Sequence, residues 1–515
     1  MVSLANILGI KSTIEKEDKA VKKNVLAFDF GASSGRAILG KYDDGKIELE
    51  EIHRFSNYPV EKGGTLYWDY AFLFQQIIEG VKKATKLYSV DSLGIDTWGV
   101  DFGLLDEQGK LLSNPVNYRD ARTKGILEDA EKHLDLKTIY QRTGNQIMEI
   151  NTLFQLLATK LQQPETFEKA NTMLFMPDLM NYFLTGKIAA ERSIASTSQL
   201  VNPLMKNWDY KIIDAFGLKN TLFPPLASAG TFLGLTMGDL DIPQIAVYNV
   251  CEHDTASAVV SVPSSQEFLF VSCGTWSLVG TELTEPVINE KAYKYNLTNE
   301  SGINGTTRFL KNCTGLWIIQ EVKRNLEQIG RNYSYDEITS LAYQASPFKT
   351  FIDTDYPDFI SPGNMIQRIQ EYARKTQQAI PDSDGEIFRC IYESLAMKYK
   401  YTFLEISDAV GKDFRTVNIV GGGSQAQILC QMVADASNLL VSAGPVEATA
   451  IGNISVQLLA QDVFKNLQEV REWVKDRFKV KQYSPSISRL DWDRQFKRYQ
   501  KLLNWEEISN VKENS

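Results

Sequence analysis

The apolar run Val25-Leu26-Ala27-Phe28-Asp29-Phe30 stops at Gly31, and Ala32-Ser33-Ser34-Gly35-Arg36 has the small and polar residues of a turn. Apolar character resumes over residues 37–42, Asp43-Asp44-Gly45 turns again, and Ile47 to Phe55 alternates between apolar and polar residues. This predicts a meander of hairpins. Trp68 to Leu87 carries apolar residues at helical spacing, and Val90 to Asp96 returns to a strand. About 240 residues after the first start the design recurs: a strand over 267–272, a Cys273-Gly274-Thr275 turn and a strand over 276–280. Further on, Ile387 to Leu404 and Gln425 to Ala436 read as helices around a buried strand, Thr416 to Val420. Ser488 is a candidate N-cap for a largely polar helix reaching about Leu503, beyond which the chain is expected to fray. The pattern predicts two similar mixed α/β domains, at 24–255 and 256–485. Residues 1–23 form a flexible extension and 486–515 a helix and tail.

Composition narrows the class. A chain of 515 residues exceeds a single core, and 43% apolar with 23% charged residues is ordinary for a globular protein. The formal charge of −9 and the absence of long Lys/Arg runs argue against nucleic-acid binding. No window of about 18 apolar residues suggests a membrane span, and the N-terminal segment lacks the basic flank of a secretory signal. Five scattered cysteines without a C-x-x-C pair, alongside only three histidines, favour a reducing cytoplasmic compartment over a zinc or disulfide framework.

Five stretches carry candidate chemistry. Asp29 to Arg36 sets a carboxylate at a strand end before small residues whose N–H groups can face phosphate, with the carboxylate available to Mg²⁺ through water. An ordinary glycine hairpin explains the same residues. Gly274-Thr275-Trp276-Ser277 offers the same choice in the other half, and together two such turns could clamp a phosphate chain. Val420-Gly421-Gly422-Gly423-Ser424-Gln425 allows close approach of a flat ring or a phosphate, or simply a tight strand–helix turn. In Cys251-Glu252-His253-Asp254-Thr255-Ala256-Ser257 the aspartate either reaches a substrate hydroxyl or caps a helix. Gly94 to Asp101, with Tyr118-Arg119-Asp120, places polar groups beside an indole, as a sugar site does, or buries a core tryptophan.

In their order these stretches resemble the FGGY carbohydrate kinases. So do Tyr118-Arg119-Asp120-Ala121-Arg122-Thr123, Met176-Pro177-Asp178 and Leu310-Lys311-Asn312-Cys313-Thr314-Gly315-Leu316-Trp317. The resemblance covers roughly residues 24 to 485. It implies two actin-like, ribonuclease-H-like domains closing over an interdomain cleft, binding ATP with Mg²⁺ and a small sugar as monomer or homodimer. It matches Ala32, Ser33, Ser34, Gly35, Arg36, Thr275, Gln320 and Gly422 to ATP contacts, and Gly99, His253, Asp254, Thr255 and Asn312 to sugar contacts. Asp254 matches the proton acceptor and Asp29 a Mg²⁺-associated carboxylate. The implied reaction phosphorylates a deoxyketose at its 1-hydroxyl, with L-rhamnulose favoured over L-fuculose. A nucleotide-switched binding protein on the same scaffold would have no use for Trp98 and the His253-Asp254 pair. Two positions depart from the expected wording: Glu149 stands where proline is usual, and Ser301 where a second glycine is expected.

Overall fold

The computed structural model describes residues 21–264, 266–486 and 489–513. The predicted extension therefore falls largely outside the described residues, as does Ser488 with its predicted capping role. The first strand, Lys22–Phe30, begins two residues before the predicted start at Asn24, because Lys22 and Lys23 pair with Asp43 and Tyr42.

Strands Lys22–Phe30, Ser34–Asp43 and Lys46–Ser56 form the expected antiparallel meander. On its other side Lys22–Phe30 pairs in parallel with Ser92–Thr97, which in turn pairs in parallel with Ala246–Tyr248. An antiparallel edge strand, Phe232–Leu235, completes this sheet. Residues 25–30 are buried because both faces of the central strand are covered, which is why they read as an unbroken apolar run.

The second sheet repeats that plan. Its central strand Leu269–Cys273 has Trp276–Leu283 and then Thr307–Thr314 antiparallel on one side. On the other side lie Thr416–Val420 and Leu440–Ala443, both parallel, followed by the antiparallel strand Lys481–Tyr483. Thr298–Ser301 adds an edge strand beyond Thr307–Thr314. The chain thus forms two α/β lobes of matching topology, the two-lobed actin-like, ribonuclease-H-like architecture.

Two helices lie between the lobes. Asp254–Val260 packs on Ala448–Ala460, where a Cβ on Gly452 would stand 1.8 Å from the Ser257 carbonyl oxygen, so only glycine admits the approach. The predicted division between residues 255 and 256 falls inside the first of these helices. Ala448–Ala460 also bonds into the first sheet: Asn453 Nδ2 donates to Asp96 Oδ2 at 2.6 Å, and Gln457 Oε1 accepts from Ser92 Oγ at 2.7 Å.

The remaining predicted helices occur with shifted ends: Tyr70–Leu87, Asp384–Val410 and Gln427–Ser437. The terminal helix runs Arg489–Glu513, past the predicted end near Leu503. It is less polar in effect than its composition suggests, because Trp492, Phe496, Tyr499 and Leu502 recur at helical spacing and are buried in the second lobe's core. No helix among the described residues is long and apolar enough to cross a membrane.

Candidate active site

The C-terminal ends of the central strands meet across a cavity of about 400 Å³ between the lobes. The first lobe contributes the turn Gly31-Ala32-Ser33-Ser34, closed by Gly31 N–H donating to the Ser34 carbonyl at 2.9 Å. The second contributes Gly274 and Thr275 from the topologically equivalent turn, where Gly274 N–H donates to the Trp276 carbonyl at 2.9 Å. Both turns line one cavity. Beside the second turn stand Gly421 and Gly422, at the end of Thr416–Val420. Gly421 has φ +80°, and a Cβ on Gly423 would stand 2.1 Å from Cys273 Sγ, so this run is glycine for conformation at one residue and for packing at another.

Of the residues expected at the site, Ala32, Ser33, Ser34, Arg36, Gly99, His253, Asp254, Thr255, Thr275, Asn312, Gln320 and Gly422 all line the cavity. Gly35 and Asp29 are not among its lining residues. Gly35 pairs with Phe55 on the neighbouring strand, and a Cβ there would stand 2.2 Å from the ring, so packing accounts for this glycine. Asp29 lies just behind, where its Oδ2 accepts from Arg36 Nη2 at 2.7 Å. Arg36 Nη1 reaches across to Glu447 of the second lobe, so two carboxylates hold the guanidinium.

Asp254 is the first residue of the helix Asp254–Val260, and His253 precedes it as N-cap residue without a side-chain capping bond. The carboxylate does not cap in the usual sense. Its Oδ1 accepts from Thr255 N–H at 2.5 Å and from Thr255 Oγ1 at 3.2 Å, while His253 Nε2 lies 3.4 Å away. Oδ2 takes no hydrogen bond from any described residue, and the side chain, 32% exposed, faces the cavity. Burial raises the Asp254 pKa above the ordinary carboxylate value; His253 and Thr255 oppose the shift, and Asp29 adds to it.

Asp29 and Asp96 are register partners on adjacent parallel strands. Burial, then the charge of Asp29, pushes the Asp96 carboxyl well up, and its Oδ1 has no hydrogen-bond partner among the described residues. Asp254 also contributes to that shift, and Arg36 opposes it, so Asp29 and Asp96 lie close behind the cavity wall that Asp254 lines. No group of three or more His, Cys, Asp or Glu side chains among the described residues is spaced to hold a metal ion alone. The hard oxygen donors and the orphaned Asp96 Oδ1 nevertheless suit Mg²⁺, which keeps several waters and uses few carboxylates.

The other end of the cavity is polar and aromatic. Trp98 packs at a tilt of 38° against Trp68 with ring centroids 4.1 Å apart, and both indole N–H groups donate to Asp101 Oδ2, at 3.0 and 2.6 Å. Asp101 therefore orients the tryptophans from behind, while Trp98 lines the site. Val100 has φ +65°, a strained conformation for a β-branched residue, and is held there by Thr197 Oγ1 and Thr152 Oγ1.

Sequence reading missed Asn145, Asn151, Thr197 and Thr298, which also line the cavity, as do Gln146 and Glu300 from the two stretches of unusual wording. Gln146 Oε1 accepts from Asn312 N–H at 2.9 Å and Nδ2 at 3.1 Å, joining the lobes through an amide pair. The two unusual residues sit behind the lining. Glu149 accepts from Gly125 N–H, and Ser301 N–H donates to Ser196 Oγ, while their neighbours Met148, Ile150 and Glu300 face the cavity. The five cysteines are buried single thiols.

Residues 24–260 match the N-terminal domain, and residues 269–461 the C-terminal domain, of the FGGY family of carbohydrate kinases. The chain is 43% identical over 463 residues to a rhamnulokinase from Halalkalibacterium halodurans, covering 89% of this chain and 98% of that one. It is 40% identical over 477 residues to a rhamnulokinase from Enterococcus faecalis, covering 91% and 95%. Among solved structures, a ligand-bound xylulose kinase from Lactobacillus acidophilus shares the fold with TM-score 0.77 at 16% identity, over 95% of this chain and 99% of that one. A gluconate kinase from the same organism gives 0.74 at 16% identity, over 95% and 98%. With both domains matched in order and the cleft between them lined from each lobe, this chain belongs to the FGGY family of carbohydrate kinases.

Proposed function

We propose that this sugar kinase transfers the γ-phosphoryl group of ATP to the 1-hydroxyl of L-rhamnulose, giving L-rhamnulose 1-phosphate and ADP. The observation that carries the reading is Asp254: Oδ1 is engaged by its neighbours, while Oδ2 is unbonded on a cavity lined by two glycine turns. The similar rhamnulokinases support the choice of ketose.

Phosphoryl transfer asks the protein mainly for positioning and electrostatics. Ala32, Ser33 and Thr275 offer backbone N–H groups to the phosphate chain from opposite lobes, those of Gly31 and Gly274 being used to close the turns, and Arg36 adds a cation at its terminal end. Gly422 and Gln320 receive the nucleotide on the second lobe. Gly99, Thr255 and Asn312 bind ketose hydroxyls with His253 alongside Asp254 in the same wall, and the Trp98 indole offers a face to the apolar side of the sugar. Asp254 Oδ2 accepts the proton of the 1-hydroxyl as the O–P bond forms; its raised pKa makes it a better acceptor than an exposed aspartate. Closure of the lobes excludes water and so limits hydrolysis of ATP. Mg²⁺ bound with the nucleotide would be held near Asp29, with Asp96 and Asp254 close by, and would offset charge on the phosphate oxygens. Dependence on ATP and the buried thiols support a cytoplasmic setting.

The test is ADP release measured with L-rhamnulose, with L-fuculose and without ketose. L-Rhamnulose should give the higher kcat/KM by about tenfold or more, as expected when a polar site discriminates hydroxyl configuration. A preference for L-fuculose would overturn the ketose assignment. ADP release at the same rate without ketose would overturn the transfer reaction.

A further inference from the structure

His253 lies between two carboxylates, with Nε2 3.4 Å from Asp254 Oδ1 and Nδ1 3.2 Å from Glu300 Oε2. A third group shares the Nδ1 side. Arg308 is fully buried, and its Nη2 stands 3.2 Å from His253 Nδ1 and 3.1 Å from Glu300 Oε2, while Nε donates to the Ser301 carbonyl. Among the described residues Arg308 Nη1 has no partner, so the cation is buried here without full satisfaction of its donors.

A guanidinium nitrogen can only donate. With Arg308 Nη2 against it, Nδ1 of a neutral His253 is the acceptor, and the ring proton sits on Nε2, facing Asp254 Oδ1. Glu300 supplies the counter-charge that lets Arg308 remain in this buried place. We propose that Glu300 and Arg308 are positioning residues that hold His253 as its Nε2–H tautomer, so that the ring engages Asp254 Oδ1 and leaves Oδ2 to the acceptor hydroxyl. The proposal rests on Asp254 being the base. Although burial alone would raise the Glu300 pKa, the charge of Arg308 works most strongly against that and the carboxyl stays below the ordinary value, consistent with an ionised Glu300.

The other charged or titratable groups facing this chain are Asp29, Asp96 and Tyr118 around Asp254, with Arg36 beyond Asp29, and Cys251 near Arg308. They are left unchanged by the variants below. On the far side Glu300 faces the amide of Asn312.

The chain has only three histidines, so the protein labelled with ¹⁵N-histidine gives a countable spectrum in which His253→Gln assigns the ring. At pH 7.5 the unmodified protein should show Nε2 protonated and Nδ1 bare. An Nδ1–H or doubly protonated ring would overturn the proposal whether or not the enzyme phosphorylates a ketose. Arg308→Met should flip the ring to Nδ1–H, donating to Glu300. It should also lower kcat by about tenfold or more, short of the loss of the base itself, with KM for ATP unchanged. Glu300→Gln should keep the Nε2–H tautomer but move the acid limb of the kcat profile to lower pH, because the Arg308 charge is no longer offset. An unshifted limb in Glu300→Gln, or an unchanged tautomer in a folded Arg308→Met protein, would also overturn it. Absence of any ketose-dependent turnover in the unmodified enzyme would instead reject the reading beneath it.

Discussion

In the first lobe the central strand ends Asp29-Phe30-Gly31 and its parallel neighbour ends Asp96-Thr97-Trp98-Gly99. In the second lobe the matching ends read Ser272-Cys273-Gly274 and Ile419-Val420-Gly421-Gly422. The strand order and directions correspond, yet the first lobe sets carboxylates where the second sets a hydroxyl and an aliphatic side chain. Each plan brings a glycine turn to the cleft, because a turn after the central strand of either sheet must emerge at the same edge. On the proposed reading the first lobe supplies Asp254 and the indole that meets the sugar, and the second contributes small residues that let backbone come close to a nucleotide. Two lobes of one plan thus differ in the side chains carried at their strand ends.

The largest expected effect tests the acidic side of that division. Asp254→Asn keeps an oxygen for the Thr255 donors but cannot take up the hydroxyl proton, so kcat should fall about 10²- to 10⁴-fold with the fold intact. Turnover within a few-fold of the unmodified enzyme, measured by ADP release, would sink the assignment.

Next come two packing glycines, one from each lobe, compared by matched substitutions. Gly423→Ala drives a methyl into Cys273 and should lower unfolding stability by about 1–3 kcal/mol while raising KM for ATP, because Gly422 lies in the cavity. Gly35→Ala meets the Phe55 ring and should lose a similar about 1–3 kcal/mol, with KM for ATP nearly unchanged. Denaturant melts and ATP titrations on both proteins decide it. A large rise in KM for Gly35→Ala would restore that residue to the phosphate contacts.

A third test concerns carboxyls buried behind the site. Burial pushes up the pKa of both Asp178 and Glu252, and Glu252 is also raised by the charges of Asp178 and Glu191. The folded state therefore holds a proton that the unfolded chain releases near pH 4. The stability associated with it is full below that pH and is lost as pH rises through the raised folded pKa. Glu252→Gln mimics the protonated form, so its Tm should fall less between pH 4 and pH 8 than that of the unmodified protein. Parallel curves would contradict the retained proton.

The smallest effect is expected at the ion pair that crosses between lobes. Glu447 is 38% exposed, so Glu447→Gln should change stability by no more than about 1 kcal/mol. Freed from one of its two carboxylates, Arg36 should bind the nucleotide phosphates more strongly, and KM for ATP should drop. A rise would show that Glu447 holds Arg36 in its working position.

How far these features were legible in the residues varies with their distance along the chain. The turns at Gly31 and Gly274 could be read because a strand, its glycine and its hydroxyls are neighbours. Gly35 was legible as a glycine but not as a partner of Phe55, since strand register decides which side chain stands opposite. The terminal helix read as polar until a core was present to receive its apolar stripe. Gln146 and Glu300 stood in stretches of unusual wording, but nothing local gave their partners, and Arg308 carried no signal, because each matters through residues brought from elsewhere: Asn312 for the first, His253 for the others.

By itself the sequence determined the α/β class, the repeated hairpin starts and the small-residue turns, all of which depend on interactions between near neighbours in the chain. Only the tertiary structure decided which carboxylate oxygen is left unbonded, which cation faces His253 and which glycines serve packing. Those outcomes depend on distances of about 2 to 4 Å between segments far apart in sequence, set by how the two sheets and the helices between them pack.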